Sequence, residues 1–155
     1  NLNETGGHPG RDLAHAAIRR WVAPQSGEYE IAGELSLGRQ NKGDGVRARL
    51  ISSKGGQLGE WIADGAAVRT DLKKVKLAAG EVLDFAVDCR DTASSDAYRW
   101  APSITLVIRA EDIPEGLRTV WESQNDFAPP PPPKLQPLEQ MAHALLMTNE
   151  FLFID

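Results

Sequence analysis

The chain has 155 residues, 41% of them hydrophobic, and this length suits one well-buried core with an appendage better than two full domains. Its 17 basic and 22 acidic residues give a net charge of −5 at pH 7. This balance disfavours a nucleic-acid-binding function, because such proteins present a strongly basic surface. The single cysteine, Cys89, excludes an internal disulfide.

No stretch of the sequence has the form of a membrane or export segment. It contains no apolar run of about 18 residues and no charged start followed by a short apolar stretch, so we expect neither a membrane span nor a signal peptide in it. The first residue is Asn1 rather than Met, and we expect the chain to be part of a longer protein.

Short runs of alternating apolar and polar residues, separated by Gly, Asp, Asn and Ser clusters, occupy the chain from Ile18 to Ile108. This pattern is typical of antiparallel sandwiches and barrels. Seven runs are predicted as strands: Ile18–Ala23, Glu28–Leu37, Gly45–Ser53, Leu58–Ala63, Ala67–Ala78, Glu81–Cys89 and Tyr98–Ile108. The sequence therefore predicts an all-β, antiparallel β-sandwich of jelly-roll type over residues 1–110.

The alternation also assigns side chains to the two faces of each strand, since neighbouring side chains point to opposite sides. Trp21 and Trp100 lie in strongly alternating runs and are predicted to be core residues. Cys89 falls on the core parity of its run. The apolar parity slips by one between Leu72 and Val75, which predicts a β-bulge at residues 73–74.

The character of the sequence changes after about Ala110. Residues 111–136 are charged and irregular and contain the proline run Pro129–Pro133, so we predict a linker or a surface arm that Trp121 pins in place. Residues 137–155 are predicted to form one short amphipathic helix and a tail, because apolar residues recur there at helical spacing. These residues are Leu138, Met141, Leu145 and Leu146.

Candidate binding residues follow from the chemistry of sugar recognition, in which exposed aromatic rings stack on pyranose faces and polar groups bind the hydroxyls. Trp61 lies in a short, Gly-flanked run and is the candidate aromatic platform. Its alternative is ordinary packing against the core.

Arg47 and Arg49 share the outward parity of one strand and predict a basic strip suited to carboxylated or sulfated glycans. Three further arginines extend this strip in some registers of the sheet: Arg19, Arg69 and Arg99. The alternative is a solvated strand surface on which Glu30 and Glu34 pair with these cations.

Four aspartates carry the hard oxygen ligands that Ca²⁺ prefers, and they are the candidates for a structural calcium site: Asp84, Asp88, Asp91 and Asp96. No fixed calcium-loop spacing accompanies them, so turn and surface roles stay open. No catalytic nucleophile with a base can be recognised, and a thiol on the core parity is an inert small hydrophobe. We therefore expect a protein that is not an enzyme and that needs no other cofactor.

Three parts of the chain resemble one family: Gly7–Asp12 with His15–Trp21, Gly43–Arg47, and Asp84–Arg90 with Trp100–Pro102. They are similar to a sandwich segment near the C-terminal end of large planctomycete cell-envelope proteins that carry cytochrome c-type domains and two domains of unknown function. The ending Leu145–Asp155 resembles the last residues of the same proteins. Trp21–Tyr29 also resembles an early-strand pattern of carbohydrate-binding jelly rolls.

The resemblance implies an exported, periplasmic or cell-surface location and a non-catalytic polysaccharide-binding module within a larger cytochrome-type protein. Its expected partners are a polysaccharide, acidic or sulfated, and the neighbouring domains of the parent protein. Two alternatives stay open: a structural domain that docks its neighbours without binding sugar, and a remnant of a polysaccharide-degrading enzyme. A glycan binder is expected to show a groove with an exposed aromatic ring beside Arg or Asp, and an assembly domain an apolar patch.

Overall fold

The computed structural model describes residues 2–10, 15–38, 43–92 and 96–128, and these residues form an all-β, antiparallel fold. The strands are β1 (Leu2–Asn3), β2 (Gly6–Gly7), β3 (Ala17–Val22), β4 (Gly27–Ala32), β5 (Glu34–Leu37), β6 (Val46–Ser52), β7 (Gly56–Ala63), β8 (Val68–Arg69), β9 (Leu72–Leu77), β10 (Val82–Cys89), β11 (Tyr98–Trp100), β12 (Ser103–Leu106) and β13 (Val120–Glu122). A single helical turn, α1 (Ser123–Asp126), follows β13. The predicted fold class is confirmed.

The strands form two layers. Sheet I has the order β3-β10-β6-β7. The other layer, called sheet II here, consists of the sets β1-β2-β11-β5-β8 and β13-β12-β4-β9. These two sets are continuous, because Trp100 pairs with Leu35 and Ser103 pairs with Ala32 in one unbroken register. The chain passes repeatedly between the two sheets, as in jelly-roll sandwiches.

Aromatic side chains of both sheets meet in the core. Trp21 of β3 packs edge-on against Tyr29 of β4, with ring centroids 5.4 Å apart, and Phe85 of β10 packs in the same way against Trp100 of β11 at 5.5 Å. Such edge-to-face pairs add to the stabilisation from burial. The predicted core positions of Trp21, Trp100 and the buried Cys89 are confirmed.

The predicted bulge is also confirmed. The pairing of β4 with β9 shifts by one residue between Tyr29 and Ile31, and Lys74 opposite this step has a φ of 59°. The extra residue restores the apolar parity, so that both Leu72 and Val75 pack against the core. β9 is an edge strand, and lysines on an edge strand disfavour its pairing with other chains.

The prediction of an irregular linker over residues 111–136 is wrong for residues 120–126, which form β13 and α1. β13 pairs with β12, and Trp121 is buried in the core with its ring 5.4 Å from that of Trp21, so the arm is an integral edge of sheet II and is pinned by Trp121 as predicted. Ala128 then pairs with Arg20 through two backbone hydrogen bonds of 2.6 and 2.9 Å. The predicted proline arm at Pro129–Pro133 and the predicted helix of residues 137–155 lie outside the described residues.

The N-terminal hairpin β1–β2 was not predicted, because its residues carry no apolar alternation. It extends sheet II at the edge of β11, where Gly6 and Gly7 pair with Arg99 and Tyr98. Of the helical segments that the structure describes, none is long and apolar enough to cross a membrane.

Candidate functional site

Trp61, the predicted aromatic platform, faces the interior of the sandwich. It stands opposite the fully buried Ala48, and its ring centroid lies 6.2 Å from that of Trp100. Gly59, two residues earlier on the same face, makes room for the indole: a Cβ there would lie 2.7 Å from Trp61 Cζ2. The half-buried Trp61 is therefore a packing residue, which corrects its assignment as an exposed sugar platform.

The other aromatic rings of the described residues are no better exposed. Six are buried: Trp21, Tyr29, Phe85, Tyr98, Trp100 and Trp121. Phe127 is partly buried against the core. The described part of the chain consequently offers no fully exposed aromatic ring for stacking on a pyranose face.

Arg47 and Arg49 lie on the outer face of sheet I, where acidic side chains neutralise them. Asp88 lies between them and is only 1% exposed, with Oδ1 at 2.8 Å from Arg47 Nη2 and Oδ2 at 3.2 Å from Arg49 Nη2. Arg49 Nε also donates to Glu60 Oε2 at 3.1 Å. The pair is thus an ion-paired cross-strand cluster rather than an open basic strip.

Arg19, which was expected to extend the strip, points into the sandwich with Trp21. Its guanidinium is buried and donates to the carbonyl oxygens of Trp100 at 3.0 Å, Gly6 at 2.9 Å and Asn3. Burial lowers the pKa of Arg19 and raises that of the neighbouring Tyr98 to about 12. Arg19 therefore ties the β1–β2 hairpin to β11 and is unavailable to a ligand.

Arg69 and Arg99 lie on the outer face of sheet II, on the opposite side of the sandwich from Arg47 and Arg49. Arg69 is paired with Asp71, with Nη2 at 2.8 Å from Oδ2. The predicted strip is therefore divided among two outer faces and the interior. The structure does not bring Trp61, Arg47, Arg49 and Arg99 together.

Arg99 borders two adjoining cavities, of about 660 and 390 Å³. Among the described residues, the larger is lined by Ser36, Leu37, Gly38 and Arg99. The smaller is lined by Thr5, Glu34, Ser36, Arg99, Trp100 and Ala101. Both cavities together are called the Arg99 depression here.

The depression exists because the side chains around Arg99 are small. On the outer face of sheet II, Arg99 stands between Gly6 of β2 and Ser36 of β5 in one cross-strand row. Ala101 follows Arg99 on the same face. None of these three neighbours is large enough to cover the guanidinium, which is exposed.

The Arg99 guanidinium also has no hydrogen bond or ion pair with any residue in the described ranges. Other outward arginines are paired: Arg20 with Asp84 at 2.7 Å, Arg47 with Asp88, Arg69 with Asp71 and Arg118 with Asp126. Arg99 is thus an unpaired cation beside open space, whereas the charges of the four cited arginines are already paired with carboxylates.

The four aspartates proposed as calcium ligands do not converge. Asp84 and Asp88 are engaged by arginines on the outer face of sheet I, and the backbone N–H of Asp91 donates to Asp44 Oδ2 at 2.7 Å in a loop. Asp96 is fully buried, and neither of its carboxylate oxygens has a hydrogen-bond partner among the described residues. Within the part of the chain that is described, no three acidic, histidine or cysteine side chains are placed to hold a metal ion.

The pKa of Asp96 is raised, chiefly by burial and further by the negative charge of Asp44, while His8 partly offsets the rise. Burial and the adjacent carboxylate both favour the protonated form. Asp96 is accordingly a buried acid whose charge is costly to the fold.

Arg99 was predicted as a binding residue, but the residues that surround it in the depression were not. Thr5, Glu34 and Ser36 carried no signal of their own, because sites of this kind depend on which strands pair. A weak signal was present in the outward parity of small residues beside Arg99, where Ala101 follows it and Ser36 lies between the buried Leu35 and the partly buried Leu37.

Comparison of the chain with protein-family models, with curated proteins and with solved structures found no match in any of the three. The structure defines an antiparallel β-sandwich domain with a polar depression on the outer face of sheet II.

Proposed function

We propose that this sandwich is a non-catalytic polysaccharide-binding module of a larger exported protein, and that it binds sugar in the Arg99 depression. The observation that carries the proposal is the exposed Arg99 guanidinium, which lacks a partner among the described residues and borders both cavities. Each of these cavities falls in the size range of small-ligand sites.

The polar groups of the depression match the hydrogen-bonding needs of a sugar. Arg99 offers up to five N–H donors, Glu34 offers acceptors, and the hydroxyls of Thr5 and Ser36 both donate and accept. Pyranose hydroxyls likewise donate and accept. A ring lying over Ser36 and Ala101 can approach the sheet closely because these side chains are small.

Weak affinity per site is expected, because aromatic stacking is missing from the described lining. Four net hydrogen bonds of about 1 kcal/mol each correspond to a Kd of roughly 1 mM. A polysaccharide presents many copies of the same unit, and a parent protein with other binding sites gains further avidity.

The lining of the depression supports a binding role over a catalytic one. Glu34 is the one carboxylate among its described lining residues, whereas glycoside hydrolysis normally uses two carboxyl groups across the scissile bond. The exported location and the neighbouring domains come from the family resemblance alone.

A structural role in docking neighbouring domains is the second candidate, and one observation favours it. Val107 and Val120 are 46% and 44% exposed on the outer face of sheet II, and Thr105 between them pairs with Val120. An exposed apolar pair of this kind is suited to contact with another domain.

Affinity-gel electrophoresis of the 155-residue chain with a panel of plant, algal and bacterial polysaccharides tests the proposal. We expect at least one polysaccharide to retard the wild-type chain, and the substitution Arg99→Ala to weaken that retardation. The matched control is Arg118→Ala, because Arg118 is 57% exposed and distant from the depression in sequence. Migration unchanged by every polysaccharide would refute binding and leave the docking role.

A further inference from the structure

We infer that the polysaccharide is anionic and that Arg99 binds its carboxylate or sulfate group in the larger cavity. This inference rests on the proposed function and adds the class of ligand. It differs from the sequence-based expectation of an acidic glycan, which relied on Arg47 and Arg49, because those two arginines are already neutralised on the other side of the sandwich.

Arg99 differs in charge pairing from Arg69, another cation on this outer face. Arg69 forms an ion pair with Asp71 at 2.8 Å, and Glu34 lies directly opposite Arg69 in the strand register. Arg99 has no such partner among the described residues. In the larger cavity Arg99 is the one charged residue among the described lining residues, whereas the smaller cavity also contains Glu34.

The arrangement of residues around Arg99 suits a planar or tetrahedral anion. Gly6 and Ser36 flank Arg99 in the cross-strand row, so one side of the guanidinium is open and the other offers a hydroxyl. The planar guanidinium binds a carboxylate or a sulfate through two parallel N–H donors. Ser36 Oγ is placed on the neighbouring strand to donate a further hydrogen bond to the same group.

The two cavities of the depression differ in their acidic side chains. Glu34 lines the smaller cavity and repels a negative group, whereas no carboxylate is among the described lining residues of the larger one. The anion is therefore expected beside Ser36 and Gly38, in the larger cavity. Neutral hydroxyls of the adjoining sugar then face Glu34.

Affinity electrophoresis with three defined polymers separates the possibilities: polygalacturonate carries carboxylates, dextran sulfate carries sulfates, and dextran is neutral. Stronger retardation by at least one anionic polymer than by dextran is expected. Arg99→Ala should weaken that retardation about tenfold or more, since a hydrogen-bonded charged contact is lost. The polymer that responds identifies the anionic group.

Two variants complete the design. Arg99→Lys keeps the positive charge but loses the two parallel N–H donors of the guanidinium. This variant should bind the anionic polymer more weakly than wild type and better than Arg99→Ala. Arg118→Ala makes the same change in net charge elsewhere and should leave retardation unchanged. Equal losses in Arg118→Ala and Arg99→Ala would indicate non-specific attraction and overturn the inference.

The remaining outcomes keep the two proposals distinct. Binding to dextran as strong as binding to the anionic polymers, with Arg99→Ala weakening all of them alike, overturns the inference and leaves the polysaccharide-binding function. Absence of binding to the two anionic polymers overturns the inference, and absence of binding to the whole polysaccharide panel as well overturns both. Matching thermal midpoints of the variants and wild type verify that a loss of binding is not a loss of fold.

Discussion

Arg19 and Trp100 are joined inside the sandwich, where Arg19 Nη1 donates a hydrogen bond to the Trp100 carbonyl oxygen at 3.0 Å. Two further carbonyls, those of Asn3 and Gly6, accept from the same guanidinium. This buried cation links β3 of sheet I to three strands of sheet II, namely β1, β2 and β11.

Replacement of Arg19 by Met is expected to destabilise the fold by about 3 kcal/mol, because buried carbonyl groups lose their donor while an apolar chain keeps the volume. Urea unfolding measures the change. Arg118→Met is the matched control, since this exposed arginine should cost less than about 0.5 kcal/mol. Equal effects of the two substitutions would contradict the structural role of Arg19.

Trp61→Ala is expected to lower the free energy of unfolding by about 2 kcal/mol, because the half-buried ring packs against Trp100 and the core. Polysaccharide retardation at temperatures where the variant is folded should stay unchanged. Ile62→Ala, on the exposed face of the same strand, should cost under about 1 kcal/mol. Normal stability with lost binding would restore Trp61 as a sugar platform.

Asp96→Asn is expected to stabilise the protein increasingly as the pH rises. The folded-state pKa of Asp96 is raised above the ordinary aspartate value of 3.8, so the stability contributed by the wild-type carboxyl is fully present below that value and is lost as the pH rises through the folded pKa. The variant lacks this titration. Thermal unfolding of both proteins between about pH 3 and pH 7 should show a difference that grows with pH.

Glu81→Gln is the counterpart with the opposite sign. Glu81 accepts hydrogen bonds from the Ala78 N–H at 2.9 Å and from Ser52 Oγ at 2.5 Å, and these lower its pKa below the ordinary glutamate value of 4.5. Its contribution is present above that value and is lost as the pH falls through the folded pKa. Glu81→Gln should therefore become more destabilising as the pH rises, over the same range in which Asp96→Asn becomes more stabilising. Thermal unfolding between about pH 3 and pH 7 measures both, and a cost of Glu81→Gln that does not change with pH would contradict this assignment.

Lys74→Gly is expected to stabilise the fold by about 1 kcal/mol, because Lys74 adopts a φ of 59° that glycine reaches without steric cost. Lys76→Gly, in an extended part of the same strand, should destabilise it by roughly 0.5–1 kcal/mol. Chemical denaturation of the two variants provides the comparison. A similar loss in both would show that the bulge places no demand on the backbone at residue 74.

Much of the fold followed from local patterns. The strands, the bulge at Lys73–Lys74 and the core positions of Trp21 and Trp100 all depend on side-chain alternation, which a few neighbouring residues determine. The same alternation places Arg19 on the face of Trp21, so its burial was readable from the sequence. The β1–β2 hairpin and β13 were missed because Gly6–Gly7 and Val120–Glu122 are too short to show a period.

The sequence by itself determined that this chain is an antiparallel sandwich and which side of each strand is apolar. Only the tertiary structure decided which outer face each polar side chain joins, since that depends on pairing between distant residues. Arg47 lies in sheet I beside Asp88, and Arg99 lies in sheet II between Gly6 and Ser36. One arginine is thereby neutralised and the other left exposed in a depression, although both sit on the polar side of an alternating strand.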